Sequence, residues 1–126
     1  MTTEASHRAR RVAESIRHVV TDFMARELSD PTLSAVAITD VEVSADLGVA
    51  TVKARLYVGG DDSGRRQAVV KSLSRAAGRI RRKLGRAVRL KRVPELRFVY
   101  DTGVDAAHRV EELLSEIAAD AKRTDK

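Results

Sequence analysis

The chain has 126 residues, 43% of them hydrophobic, with 24 Lys and Arg against 18 Asp and Glu for a net charge of +6. That supplies apolar material for one domain with a core and argues against disorder. There is no cysteine, which excludes a disulfide framework, Cys-ligated zinc and thiol catalysis, and no run approaches the ~18 apolar residues of a membrane span.

Met1 to Arg11 is polar and lacks an apolar signal-peptide region. Residues 1–6 are predicted to form a flexible N-terminus. His7, Arg8, Arg10 and Arg11 make a small basic cluster, which either touches phosphate or is a solvated first turn. Val12, Ile16, Val19, Val20 and Phe23 follow helical spacing, so an amphipathic helix is predicted to about Leu28. Asp30-Pro31 ends it, because the residue before proline disfavours the α region. Ala35 to Ser44 reads as a strand whose alternation changes phase between Ile38 and Val41, implying a bulge near Thr39-Asp40. Asp46-Leu47-Gly48 is a turn. Val49 to Val58 then alternates, with Ala50, Val52, Ala54, Leu56 and Val58 facing in, which completes a β-hairpin. The loop from Gly59 to Gly64 lacks the Lys-Ser/Thr pair of a phosphate loop and reads as flexible, with Ser63 as a candidate helix cap.

Arg65 to Arg92 dominates the chain. It holds Arg65, Arg66, Lys71, Arg75, Arg79, Arg81, Arg82, Lys83, Arg86, Arg89, Lys91 and Arg92, and no acid. This segment alone is +12, so the remainder of the chain is −6. Val69, Leu73, Ala76, Ala77, Ile80 and Leu84 mark one face of a helix at ~100° per residue, and Arg75, Arg79, Arg82 and Arg86 fall on the opposite face. A solvated face normally mixes signs, whereas a one-sign row pays like-charge repulsion. Guanidinium forks match phosphate oxygens, so the partner read from this row is a nucleic-acid backbone. The candidate RNA-binding residues are Arg75, Arg79, Arg81, Arg82, Lys83, Arg86, Arg89, Lys91 and Arg92, with Arg8, Arg10 and Arg11. Ala76, Ala77 and Gly78 interrupt the helix pattern. Glycine there costs about 1 kcal/mol against alanine. The three residues mark either a kink that lets RNA backbone come close, or a glycine kept for core packing.

Gly85 is predicted to help end this helix. Glu95 to Asp101 forms a third strand, in which Phe98 and Tyr100 either pack in the core or stack on bases. After the Thr102-Gly103 turn, Val110, Leu113, Leu114 and Ile117 mark a last amphipathic segment, either docked or loosely held, with a disordered end from Ala121. The order α-β-β-α-kink-α-β with a C-terminal helix is an α+β arrangement, with helices on one face of a three-stranded sheet. The domain is assigned to residues 7–103, and residues 104–126 to a helical segment and tail. His7, His18 and His108 lack metal-ligand spacing, and neither Asp61-Asp62 nor Glu111-Glu112 makes an acid/base couple. No catalytic residue, metal or cofactor is predicted. A DNA-binding regulator would need base-reading amides on the basic helix, where only Gln67 is present, and a nuclease would need a convergent acid or His cluster.

Several strings, in order, resemble one family. They are His7-Arg8-Ala9-Arg10-Arg11-Val12, Asp30-Pro31, the hairpin from Thr39 to Ala50, Ala76-Ala77-Gly78, and Val93-Pro94-Glu95-Leu96-Arg97-Phe98-Val99-Tyr100-Asp101. Together they resemble the bacterial ribosome-binding factor A family over about Ser6 to Asp101. The resemblance implies a type II KH-like fold in which an Ala-x-Gly kink, carried here by Ala76 and Gly78, replaces the GxxG loop. It further implies a non-catalytic cytoplasmic factor that binds the immature 30S subunit and 16S rRNA. Such a factor assists late maturation and rRNA 5′-end processing, matters most in the cold, and is released with help from a ribosome-associated GTPase. A monomer is expected, and no membrane partner. The motifs stop at Asp101, so the resemblance assigns no role to Val104–Lys126.

Overall fold

The structure is a computed structural model that describes the backbone of residues 2–124 and the side chains of residues 7–103 and 110–121. Helix α1 (Thr2–Arg26) forms where Val12, Ile16, Val20 and Phe23 recur every three to four residues, and all four are buried. Its backbone is helical from Thr2, ahead of the predicted start, and it stops at Arg26 rather than Leu28. Asp30 then caps a short 3-10 turn (Pro31–Leu33), its carboxylate accepting from the Thr32 N–H at 2.9 Å.

Strand β1 (Val36–Val43) pairs antiparallel with β2 (Val49–Leu56), and the register shifts between Ile38 and Asp40, where the phase change in the sequence had placed a bulge. Ala50, Val52, Ala54 and Leu56 point into the core as the alternation requires. Val58 does not. The strand ends at Leu56, and Val58 is 61% exposed in the following loop.

That loop is more constrained than its composition suggests. A Cβ on Gly60 would stand 2.9 Å from the Tyr100 hydroxyl and 3.0 Å from the Leu56 carbonyl, and Gly59 has a positive φ of 75°. Helix α2 (Ser63–Ala87) follows, capped by Asp62 rather than Ser63, since Asp62 Oδ1 accepts from the N–H groups of Gly64 at 2.9 Å and Arg65 at 3.2 Å. We expect Asp62→Ala to cost about 1 kcal/mol, the usual value of an N-cap, read as a lowered urea midpoint at unchanged slope.

Two expectations for α2 are corrected. Gly85 does not end it; the helix runs on to Ala87 and is closed by the Val88 N–H donating to the Leu84 carbonyl at 2.9 Å. Nor is it two helices: the hydrogen-bonded helix passes through Ala76, Ala77 and Gly78 as one element of 25 residues. The i to i−4 ladder tolerates an exposed glycine at modest cost, because the flanking Leu73, Ile80 and Leu84 hold the helix to the core.

Strand β3 (Glu95–Tyr100) lies parallel to β2, giving the order β1-β2-β3 with α2 as the crossover. α1 packs mainly on β1 and α2 on β3, so both cover the same face of the sheet, and the core joins Ile16, Val20, Val69, Leu73, Ile80 and Leu84 to Val52, Leu56 and Phe98. The other sheet face presents Glu42, Lys53 and Arg97.

The bulge has a structural use. Thr39, the extra residue, donates its hydroxyl to Asp101 Oδ2 at 2.6 Å, while Asp101 Oδ1 accepts from the Gly103 N–H at 2.9 Å. Asp101 thereby ties the first strand to the start of helix α3 (Gly103–Thr124). The Thr39 hydroxyl, then the Gly103 N–H, hold this carboxyl below its ordinary range, with lesser help from Lys53 and Arg55. A depressed folded-state pKa contributes stability at neutral pH that is lost as pH falls through the carboxylate range, below about 4. Asp101→Asn should therefore lower the melting temperature at pH 7 and flatten its fall between about pH 5 and pH 2. An unchanged acid limb in the variant would remove Asp101 from that titration.

Helix α3 runs through Thr124, so residues 121–124 are helical where a disordered end was expected, and residues 125 and 126 lie outside the described residues. It is not docked: Val110, Leu113, Leu114 and Ile117 are 56–60% exposed.

Candidate nucleic-acid interface

The basic row lies where the helical wheel puts it. Leu73, Ala76, Ile80 and Leu84 are buried against the sheet and α1, while Arg75, Arg79, Arg82 and Arg86 are exposed on the far side of α2. Burial of the apolar stripe thus fixes the rotation of the helix, and the rotation aims the guanidinium groups outward.

Between α1 and α2 the surface forms an open groove of about 430 Å³ lined by Phe23, Glu27, Arg79, Arg82, Lys83 and Arg86. The Phe23 ring is its floor. Arg79 lies over that ring at 5.2 Å from guanidinium carbon to centroid, and the Lys83 ammonium at 5.8 Å. A cation above an aromatic face is attracted to it by roughly 0.5–1 kcal/mol where solvent reaches, which limits the positions Arg79 samples.

The predicted RNA-binding residues are not equivalent. Lys83 Nζ is 2.7 Å from Glu27 and 3.5 Å from Asp22, and the Glu27 carboxylate raises the lysine pKa above its ordinary value. Its charge is largely answered within the chain. Arg81 is a clamp: Nε donates to the Pro94 carbonyl at 3.1 Å and a terminal nitrogen to the Val93 carbonyl at 3.0 Å, pinning the entry to β3. Arg75 faces Asp30, whose carboxyl is held low chiefly by hydrogen bonds from Ser72 and Thr32. Arg79, Arg82 and Arg86 carry the groove's outward positive charge. Arg89, Lys91 and Arg92 extend it along the exposed segment between α2 and β3. Arg8, Arg10 and Arg11 are exposed on α1, where Arg11 is twelve residues, or about 18 Å along the axis, from Phe23 and so outside the Phe23 groove itself.

Gly78 is exposed, and a Cβ built on it meets nothing within 4 Å. No contact among the described residues accounts for glycine here, which leaves core packing without support. The aromatic alternatives also resolve. Phe98 is buried, and Tyr100 has Arg66 over its ring at 4.6 Å while its hydroxyl accepts from the Leu56 N–H at 3.1 Å. Phe98 is thereby closed to stacking, and one face of the Tyr100 ring is taken by Arg66. What sequence reasoning missed was the role of Phe23 beneath two cations, hidden because its spacing marks it equally as core.

Comparison with known proteins adds the decisive observation. Residues 8–114 match the model of the family described as Ribosome-binding factor A. The chain belongs to the ribosome-binding factor A family. A curated relative from Sorangium cellulosum (strain So ce56), named Ribosome-binding factor A, is 44% identical over 110 residues, which cover 87% of this chain and 88% of that protein. The family match reaches past Asp101, where the sequence motifs ended, into the first half of α3. Two solved structures share the fold. One is the crystal structure of ribosome-binding factor A from Thermus thermophilus, with a TM-score of 0.61 at 24% identity over 73% of this chain and 94% of that one. The other is a solution structure of a Thermotoga maritima protein described as a putative ribosome binding factor A, with a TM-score of 0.58 at 22% identity over 82% and 92%. The α+β, KH-like architecture expected of the family is the one this chain has. No helix among the described residues is long and apolar enough to cross a membrane, and no group of three or more His, Asp or Glu among them could hold a metal ion.

Proposed function

We propose that this protein is a non-catalytic assembly factor that binds free or immature 30S subunits through 16S rRNA and assists late maturation, including processing of the rRNA 5′ end. The observation that carries the reading is the exposed row of Arg75, Arg79, Arg82 and Arg86 on α2, in a chain of this family. The row holds rRNA phosphates, and preferential affinity for one conformation of a flexible rRNA region shifts the subunit toward it. The protein acts in the cytoplasm as a monomer, matters most in the cold, and leaves the subunit with help from a ribosome-associated GTPase. Nucleases that trim the rRNA are other proteins. DNA binding has weaker support, since Gln67 alone offers a base-reading amide on α2.

Co-sedimentation with free 30S subunits, 70S ribosomes and duplex DNA over a salt series tests the reading. Selective, salt-sensitive recovery with 30S is the expected result. Equal recovery with all three would reduce the basic row to a general polyanion surface.

Within this reading Gly78 lets rRNA backbone approach α2. Gly78→Ala should then stabilise the protein by about 1 kcal/mol, as for any exposed helix interior, and yet weaken 30S binding severalfold. A stabilised variant with unchanged binding would show that the glycine is incidental.

A further inference from the structure

The groove between α1 and α2 holds a carboxylate that phosphate binding does not use. Two i,i+4 pairs face each other across it. Phe23 and Glu27 stand at the end of α1, where the Glu27 N–H donates to the Phe23 carbonyl at 2.9 Å, and Arg79 and Lys83 stand on α2. Arg82 and Arg86 line its solvent side. Glu27 is the one acid among the lining residues. Beside a phosphate its charge is repulsive and lowers affinity. Opposite the edge of a nucleobase it is an acceptor for N–H groups.

The groove meets the other needs of a base. At about 430 Å³ it is the size of a site for one small ligand. The Phe23 ring holds Arg79 above it at 5.2 Å, and a guanidinium plane is a stacking partner for an unpaired base. Among the described residues Glu27 accepts one hydrogen bond, at Oε2 from Lys83 at 2.7 Å, while a carboxylate has room for about four. The Lys83 ammonium serves Glu27 and, at 3.5 Å, Asp22, so the third of its three protons is left for another acceptor. Acceptor and donor thus stand side by side, spaced much as neighbouring groups are along a Watson–Crick edge.

That pairing discriminates among bases. Guanine offers two adjacent donors, N1–H and N2–H, which match the two carboxylate oxygens, and beside them the O6 acceptor for Lys83. Adenine, cytosine and uracil each present a single donor along that edge.

We propose that this groove takes one unpaired guanine of the RNA: the base stacks on Arg79, its N1–H and N2–H donate to Glu27, its O6 accepts from Lys83, and Arg82 and Arg86 hold the flanking phosphates. Glu27 then sets specificity on a face whose arginines set affinity. This inference deepens the assignment of the α2 face to rRNA and rests on it.

Fluorescein-labelled uridine nonamers with guanosine, inosine, adenosine or uridine at the centre test it, by anisotropy with the full-length protein at about 50 mM salt. Guanosine should bind about tenfold more tightly than adenosine or uridine, the usual worth of one bidentate contact. Inosine, which lacks the N2 amino group, should lie about threefold below guanosine. Glu27→Gln should bind the all-uridine nonamer more tightly, because a negative charge is gone, and yet hold guanosine no more than about twofold over adenosine. Glu27→Asp keeps the charge but shortens the reach, and should also lose the preference. Equal binding of guanosine and adenosine by the parent overturns the proposal. So does a guanosine preference that survives in Glu27→Gln. Free 5′-GMP carries the same base and should bind far more weakly than the guanosine nonamer; equal affinity would make the groove a nucleotide site and overturn its assignment to RNA. The two readings fail separately. Selective recovery with 30S subunits but no guanosine preference removes this inference alone, whereas a guanosine preference without selective 30S recovery leaves an RNA groove and removes the subunit as its target.

Discussion

Arg79→Glu combined with Arg82→Glu should lower affinity for free 30S subunits by about two orders of magnitude while leaving the protein folded. Both side chains lie on the exposed side of α2, and neither replaces a core contact. A charge-assisted hydrogen bond to phosphate is worth roughly 1.5–3 kcal/mol, and losing two gives at least the tenfold-per-1.4 kcal/mol loss twice over. Reversal adds repulsion, and the salt dependence should become shallower, since fewer counterions are released on binding. The cost in stability is confined to Arg79 leaving the Phe23 ring, about 1 kcal/mol or less. Arg97→Glu, on the open face of the sheet, is the matched control and should bind nearly as the parent does. Unimpaired binding by a folded double variant would take the basic row out of the mechanism.

Ile80→Ala should do the reverse. Ile80 is fully buried on the inner face of α2, one residue from Arg79 and Arg81. Truncating it removes apolar contacts and leaves a cavity between α2, α1 and the sheet, at a cost of about 2–5 kcal/mol. For a chain of this size that lowers the melting temperature by roughly 10–15 °C. Binding measured well below the new midpoint should be almost unchanged, because the exposed arginines are untouched. A large binding loss with normal stability would mean that Ile80 positions the groove rather than only filling the core. The pair of variants separates the two faces of one helix.

Much of this was legible in the chain because periodicity reports burial. The spacing of Val12, Ile16, Val20 and Phe23, and of Val69, Leu73, Ile80 and Leu84, depends only on which side faces the core, so both helices and the outward arginine row followed. The phase change at Thr39 was visible for the same reason, as a two-residue alternation cannot skip without a bulge. What that bulge accomplishes was not visible, since Thr39 meets Asp101 across 62 residues of sequence. Arg81 and Lys83 looked like their neighbours in the row. Only tertiary contacts, with the Val93 and Pro94 carbonyls and with Asp22 and Glu27, distinguish clamp and ion pair from open cation. The hydrogen-bonded helix continues through Ala76-Ala77-Gly78 because local propensity is weak against a helix anchored on both sides by buried residues.

The central claim is that the basic face of α2, and not the open face of the sheet, meets 16S rRNA. Single cysteines are available by substitution at Ser74 on α2 and at Glu42 on β1, and each can carry a tethered iron chelate that cleaves nearby RNA backbone. With 30S subunits bound, the account predicts localised cleavage of 16S rRNA from position 74 and none above background from position 42. Cleavage from position 42 with none from position 74 would contradict it.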